Sequence, residues 1–198
     1  MKKIAFAVAL IVGSIAAVQA AESGPYAGVA VGNTYGKGAS GDFDGFSKSH
    51  SGTFFKAFGG YQINKYIAAE IAYNDLGTYK YSLFADANNN VTAFYEVKSY
   101  TAAAVGSLPL GDFAINAKLG LAVNTAQNDF GGRAAGVAFN ASEKKTKTGA
   151  LVGFGGSYSL NKNVDFRLEY ENFGKAGSED TGRMKSLSAW SLGIVGRF

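Results

Sequence analysis

Apolar and polar residues alternate along most of this chain with a period of two, and helical spacing is sustained nowhere. In FRLEYENF (Phe166–Phe173), Phe166, Leu168 and Tyr170 are apolar while Arg167, Glu169 and Glu171 are charged. Successive side chains of a strand point to opposite faces, so this segment carries one oily face and one charged face. The same alternation predicts eight strands: Pro25–Tyr35, Thr53–Ile63, Tyr66–Leu76, Tyr95–Leu108, Asp112–Asn124, Thr148–Leu160, Val164–Phe173 and Leu187–Phe198. Each is close to the roughly 9 to 11 residues that a tilted strand needs to cross a bilayer. The fifth sets Phe113, Ile115, Ala117, Leu119, Leu121 and Val123 opposite Asp112, Asn116, Lys118 and Asn124. The last sets Trp190, Leu192, Ile194 and Phe198 opposite Ser191 and Arg197.

Short and long connections alternate. Asn64–Lys65, Pro109–Gly111 and Asn161–Asn163 read as tight turns, and Gly36–Gly52, Gly77–Phe94, Thr125–Lys147 and Gly174–Ser186 read as long polar loops. This layout predicts an all-β fold, an eight-stranded antiparallel up-and-down transmembrane β-barrel with both termini on the short-turn side. A soluble barrel would reverse the faces. It would then bury Arg167, Glu169 and Lys118 in an apolar interior or leave long apolar faces in water.

Composition agrees with this reading. A chain of 198 residues suits one domain, and 27 Gly, 15 Phe and 11 Tyr against 2 Pro favour strands and close backbone contact. With no Cys there is neither a disulfide frame nor a thiolate metal site. At the N-terminus, MKKIAFAVALIVGSIAAVQAAES has the basic, apolar and small-residue order of a secretory signal peptide. Cleavage is expected after Ala20, giving a leader over 1–20 and a single barrel domain over 21–198. Loss of Lys2 and Lys3 would lower the formal charge of +4 by two, so nucleic acid is not an expected partner. After Ala20 no apolar stretch approaches the roughly 18 residues of a membrane-spanning helix.

FKAFGGYQINKYIAAEIAYNDLG (Phe55–Gly77), FRLEYENF and the terminal SLGIVGRF resemble the transmembrane domain of the OmpA family, the small eight-stranded outer-membrane barrels of Gram-negative bacteria. The resemblance covers nearly all of the chain after Ala20. It implies a place in the outer membrane, among lipid and lipopolysaccharide. It also implies insertion by the barrel-assembly machinery with periplasmic chaperones, read from a last strand that carries Trp190 and ends at Phe198. Peptidoglycan tethering, which OmpA proper owes to a further soluble domain, is not expected of a chain that stops at Phe198.

YIAAEIAYNDLG (Tyr66–Gly77) sets one glutamate in an oily stretch. Ile67, Ala69, Ile71 and Tyr73 share the lipid face, which turns Glu70 into the barrel. The same phase turns Lys56 inward, and a three-residue turn at Ile63–Lys65 would set Glu70 opposite Phe58 and diagonal to Lys56. An eight-stranded barrel is just wide enough for its own side chains. An ion-pair network is therefore expected, with Glu70 held by Arg167 and Lys56 and completed by Lys118 and Glu169. At what resemble further inward positions of the family stand Ala104 and Ser157. Two uses stay open: a plug that holds the barrel's shape, and a gate whose charges change partners to open a narrow ion path.

Other motifs add little. His50 and Ser51 lack the spacing of a catalytic triad, and Glu169 and Glu171, two apart on one strand face, read as facing water or arginine; no enzyme activity is expected. Asp42–Gly45 and Asp86–Asn90 resemble the start of a calcium loop but read better as loop tips. The glycines of VGFGGSY precede no helix and so make no phosphate loop. No cofactor or metal is expected. Lys144, Lys145 and Lys147 stand where the sixth strand enters the membrane and read either as a solvated run or as a contact for the phosphates of lipopolysaccharide. Phe43, Phe46, Phe84, Phe130 and Phe139 suit either a host-surface or phage ligand at the loops or docking onto the barrel rim. Three roles follow: an envelope-stabilising barrel, a narrow pore, and an adhesin or receptor.

Overall fold

The computed structural model describes residues 23–38, 51–86, 89–134, 137–174 and 184–198. The expected leader lies outside them, as do His50, Phe43, Phe46 and 42–45. Eight antiparallel strands run in chain order round a closed barrel: β1 (Gly24–Gly38), β2 (Ser51–Asn64), β3 (Ile67–Asp86), β4 (Asn89–Leu110), β5 (Phe113–Ala134), β6 (Val137–Ser159), β7 (Val164–Asn172) and β8 (Met184–Arg197). β8 closes the sheet on β1, and the ladder continues to the last residue, where Phe198 N donates to Pro25 O at 3.0 Å.

The distribution of side chains is the inverse of a water-soluble fold. Ile71 and Leu119 are 69% and 66% exposed, while Lys56 is wholly buried and Glu70 is 4% exposed. Water would oppose that arrangement and a hydrocarbon surround stabilises it. On β5 the outward apolar set runs from Phe113 to Val123. Ten steps of about 3.3 Å, tilted by about 40°, rise about 25 Å, the height of the apolar band of such barrels. Ring pairs flank the band: Phe113–Tyr158 at 4.7 Å on the short-turn side and Tyr73–Tyr100 at 5.3 Å on the other.

The short turns are built by asparagines. Asn64 Oδ1 accepts from Tyr66 N and Ile67 N at 2.9 and 3.0 Å, and Asn161 Oδ1 accepts from Asn163 N and Val164 N, both at 2.9 Å. Each side chain stands in for a backbone acceptor and reverses the chain. The middle turn is Gly111–Asp112, with Gly111 in the left-handed region (φ 71°), and not the expected Pro109–Gly111. Pro109 still pairs with Ala114, but β3 begins opposite Gly106, so the missing N–H of proline faces no ladder.

Two of the expected long loops are largely strand. β3 and β4 pair as far as Asp86 and Asn89, and β5 and β6 as far as Ala134 and Val137. Beyond the bilayer both faces of a strand meet polar surroundings, so alternation fades although the backbone ladder continues. The β1–β2 pairing ends at Tyr35 and Ser51, and β7 pairs with β6 only from Val152 to Ser159. The upper parts of β3 to β6 therefore form a four-stranded extension whose outer edges, on β3 and β6, pair with no further strand among the described residues. Gly77 (φ 89°) sits in the bulge between Asp75 and Thr78 where β3 leaves the barrel.

Candidate functional site

The lumen holds three acids and three bases in one cluster. Lys56 Nζ lies 2.8 Å from Glu169 Oε2, 2.9 Å from Glu171 Oε2 and 3.4 Å from Glu70 Oε1. Lys118 Nζ lies 2.8 Å from both Glu70 Oε1 and Glu169 Oε1 and 2.9 Å from Glu171 Oε1. Arg167 Nη1 donates to Glu70 Oε2 at 2.7 Å and lies 3.7 Å from Glu169 Oε1. The Tyr26 hydroxyl donates to Glu70 Oε2 at 3.1 Å. The cluster is formally neutral. An unpaired charge at this depth would lose several kcal/mol of hydration, which this mutual pairing offsets.

Glycines make room for it. Glu70, Gly60 and Tyr26 are register partners across β3, β2 and β1, and Tyr26 lies over Gly60, where a Cβ would meet its ring. Lys118, Gly153 and Glu171 form a matching row across β5, β6 and β7; a Cβ on Gly153 would stand 3.2 Å from Glu171 Cγ and 3.4 Å from Lys118 Cβ. In each row a missing side chain lets two partners meet across the strand between them. Arg167 also stacks over Tyr26 and Phe58, its guanidinium carbon 5.4 and 5.2 Å from the ring centroids.

All five expected network residues, Glu70, Lys56, Arg167, Lys118 and Glu169, are brought together, with two changes. Glu70 faces Gly60 and not Phe58, because the turn is Lys65–Tyr66 and not Ile63–Lys65, and Ile63 is a bulge residue between the pairs Gln62–Ala68 and Asn64–Ile67. That shifts the register by two residues and keeps the phase. Ala104 faces lipid, since Thr101 and Val105 are the inward positions of β4, whereas Ser157 lies inward beside Asn116. Glu171 and Tyr26 are additions. Glu171 shares the phase of Arg167 and Glu169, so the alternation of β7 carried its signal; it faces two lysines and neither water nor arginine. The oxygens of Glu70, Glu169 and Glu171 lie within 4.8 Å of one another, near enough to share a cation, and the Lys56 and Lys118 ammonium groups fill that role.

Toward the long-loop side, Phe54, Leu76, Val97, Leu151, Phe173 and Leu187 form a dry layer above the charges, with the Phe54 and Phe173 rings 6.1 Å apart. Toward the short turns the lumen widens into a cavity of about 660 Å³. The lysine run does not share a face: Lys145 and Lys147 are register partners of the inward Ala126 and Asn124, whereas Lys144 points outward. Lys145 pairs with Glu143 at 3.0 Å. Trp190 stands on the lipid face against Tyr170 and Phe154, at 5.0 and 5.9 Å. Phe84, Phe130 and Phe139 lie on strands rather than in loops.

Fold and lumen together define a small integral β-barrel of the Gram-negative outer membrane with a packed, charge-paired interior. The chain belongs to the OmpA-like transmembrane domain family, whose model matches residues 20–198. It is 31% identical over 146 residues to outer membrane protein A of Shigella flexneri, covering 72% of this chain and 39% of that protein. The chain thus spans about two fifths of the length of the curated relative it matches. Among solved structures it is similar in fold to OprG of Pseudomonas aeruginosa (TM-score 0.59, 12% identity, 91% of this chain and 97% of that one). It is likewise similar to Neisserial surface protein A (TM-score 0.55, 19% identity, 91% and 100%). A third is Ail, the attachment invasion locus protein of Yersinia pestis, in complex with the heparin analogue sucrose octasulfate (TM-score 0.53, 18% identity, 89% and 97%).

Proposed function

We propose that this protein is a structural component of the outer membrane, a closed barrel without catalytic role that stiffens the bilayer and carries strand hairpins beyond it. The carrying observation is the double closure of the lumen. Six mutually paired charges fill its middle, and the Phe54–Phe173 layer seals it toward the long loops. An ion moving along the axis would have to break both. Glu169 and Glu171, the carboxylates nearest in pattern to an acid–base pair, are each engaged by two lysines. Single-channel recording of the refolded barrel in a planar lipid bilayer tests this reading, and silence is the expected result. Discrete steps that change in Glu70→Ala would overturn it in favour of a gated pore.

A second reading, a receptor for an extended segment of another protein, is favoured by the upper edges of β3 and β6, which pair with no further strand among the described residues. Strand addition at such an edge supplies backbone hydrogen bonds whatever the partner's sequence. Deleting 78–94 while keeping the barrel would abolish binding to a host or phage protein if this edge is used. Contact with lipopolysaccharide phosphates falls mainly to the outward Lys144, and a Lys144→Ala barrel that binds lipopolysaccharide like its parent would remove that contact. Insertion by the barrel-assembly machinery, aided by periplasmic chaperones and read from β8 with Trp190 and Phe198, belongs to the same picture of a resident envelope protein.

A further inference from the structure

The two ends of the lumen differ in kind. The long-loop end is sealed by apolar side chains, while the short-turn end opens into the 660 Å³ cavity. The charged residues lining that cavity are Lys65, Lys162, Arg167 and Arg197, and neither aspartate nor glutamate lines it. Asp165 neutralises Arg197 at 2.5 Å, and Glu70 engages Nη1 of Arg167. Lys65 and Lys162 stand in the β2–β3 and β6–β7 turns, on opposite sides of the mouth, and leave it electropositive.

Hydrogen bonding inside the cavity ends in two unspent donors. Ser107 Oγ donates to Asn116 Oδ1 at 2.9 Å, and Asn116 Nδ2 donates to Ser157 Oγ at 3.1 Å, which leaves the Ser157 hydroxyl hydrogen still to give. Ser157 is the register partner of Arg167, whose guanidinium lines the cavity and is engaged by acids through Nη1 alone. A guanidinium N–H that faces a cavity without an acceptor is answered best by an anionic oxygen.

We propose that this vestibule binds a phosphate group from the short-turn, periplasmic side, which accepts from the Arg167 guanidinium and Ser157 Oγ in the field of Lys65 and Lys162. Free phosphate and the headgroup of an inner-leaflet phospholipid share this chemistry. The site adjoins the ion-pair cluster at Arg167 and leaves the Arg167–Glu70 pair in place, so binding there does not require the lumen to conduct.

The test is nitrogen-15 NMR of the whole refolded barrel in maltoside micelles, which carry no phosphate. Inorganic phosphate is titrated against chloride at matched ionic strength, and soluble dihexanoylphosphatidylglycerol is titrated in a second arm. A saturable shift of the Arg167 Nε and Ser157 resonances is expected, absent with chloride. A response to inorganic phosphate identifies the free ion as sufficient, and a response to the lipid alone identifies the headgroup. K65Q/K162Q, which alters only exposed turn residues, should raise the half-saturating concentration about fivefold. No saturable shift in either arm, an equal shift with chloride, or unchanged half-saturation in K65Q/K162Q would overturn the proposal.

Discussion

Lys56→Met removes the cation on which the lumen depends most. Lys56 is fully buried, and its ammonium meets three carboxylates at 2.8 to 3.4 Å. At an effective dielectric constant of about 20, each contact near 3 Å is worth about 5.5 kcal/mol of Coulomb attraction before the loss of hydration is counted. Removing one partner of a buried ion pair costs about 3–5 kcal/mol net, because the groups left behind keep their charge without its compensation. Methionine matches the length of the lysine stem, so cavity formation adds little. Trp190, the single tryptophan and a lipid-facing one, reports the result: its emission during urea unfolding from lipid vesicles gives the stability of each variant. Lys56→Met should lose about 3–5 kcal/mol. The double variant K56M/E171Q leaves two acids, Glu70 and Glu169, against Lys118 and Arg167, and should recover at least half of that loss. A Lys56→Met barrel within about 1 kcal/mol of its parent, or a double variant no better than the single one, would refute the claim that charge balance holds the lumen together.

Three further variants probe the other layers by the same unfolding assay. Phe173→Ala empties part of the seal toward the long loops and should cost about 3–5 kcal/mol; a smaller loss would show that the seal collapses to fill the gap. Gly153→Val thrusts a branched side chain between Glu171 and Lys118 and should cost about 1–3 kcal/mol, while the same change at the lipid-facing Gly156 should be far milder. Leu119→Arg, near the middle of the apolar band of β5, should cost about 2–4 kcal/mol and lower the fraction that inserts into vesicles.

Phase was the legible part of this sequence. Alternation in FRLEYENF, in the third strand and in the fifth sorted Arg167, Glu169, Glu70 and Lys118 to one side before any contact was known, since a one-residue error would have put charges into lipid. Length and register were less legible. The upper parts of β3 to β6 are held by backbone bonds that leave no trace in side-chain polarity, so Gly77–Phe94 and Thr125–Lys147 read as loops. The turn at Lys65–Tyr66 and the bulge at Ile63 together moved the partner of Glu70 from Phe58 to Gly60 without disturbing any face, and so left no signal in the pattern. Glu171 was legible in phase and was missed because its partners stand on β2 and β5, far away in the chain. Tyr26 was hidden differently: an inward tyrosine signals a hydrogen bond only once Gly60 is known to lie beneath it.

The members of the charge cluster come from four strands, with Lys56 on β2, Glu70 on β3, Lys118 on β5 and the remaining three on β7. The pairs of Lys56 with Glu169 and Glu171 join β2 to β7 and cannot form until the sheet closes. A hairpin of β2 and β3 alone brings one lysine to one glutamate, whereas β7 alone carries two negative charges against the single positive charge of Arg167 into the hydrocarbon. Neutrality arrives only when the sheet curls shut. Closure and charge compensation are thus a single kinetic event, which disfavours half-inserted intermediates and makes passage from the membrane surface to the finished barrel an all-or-none step.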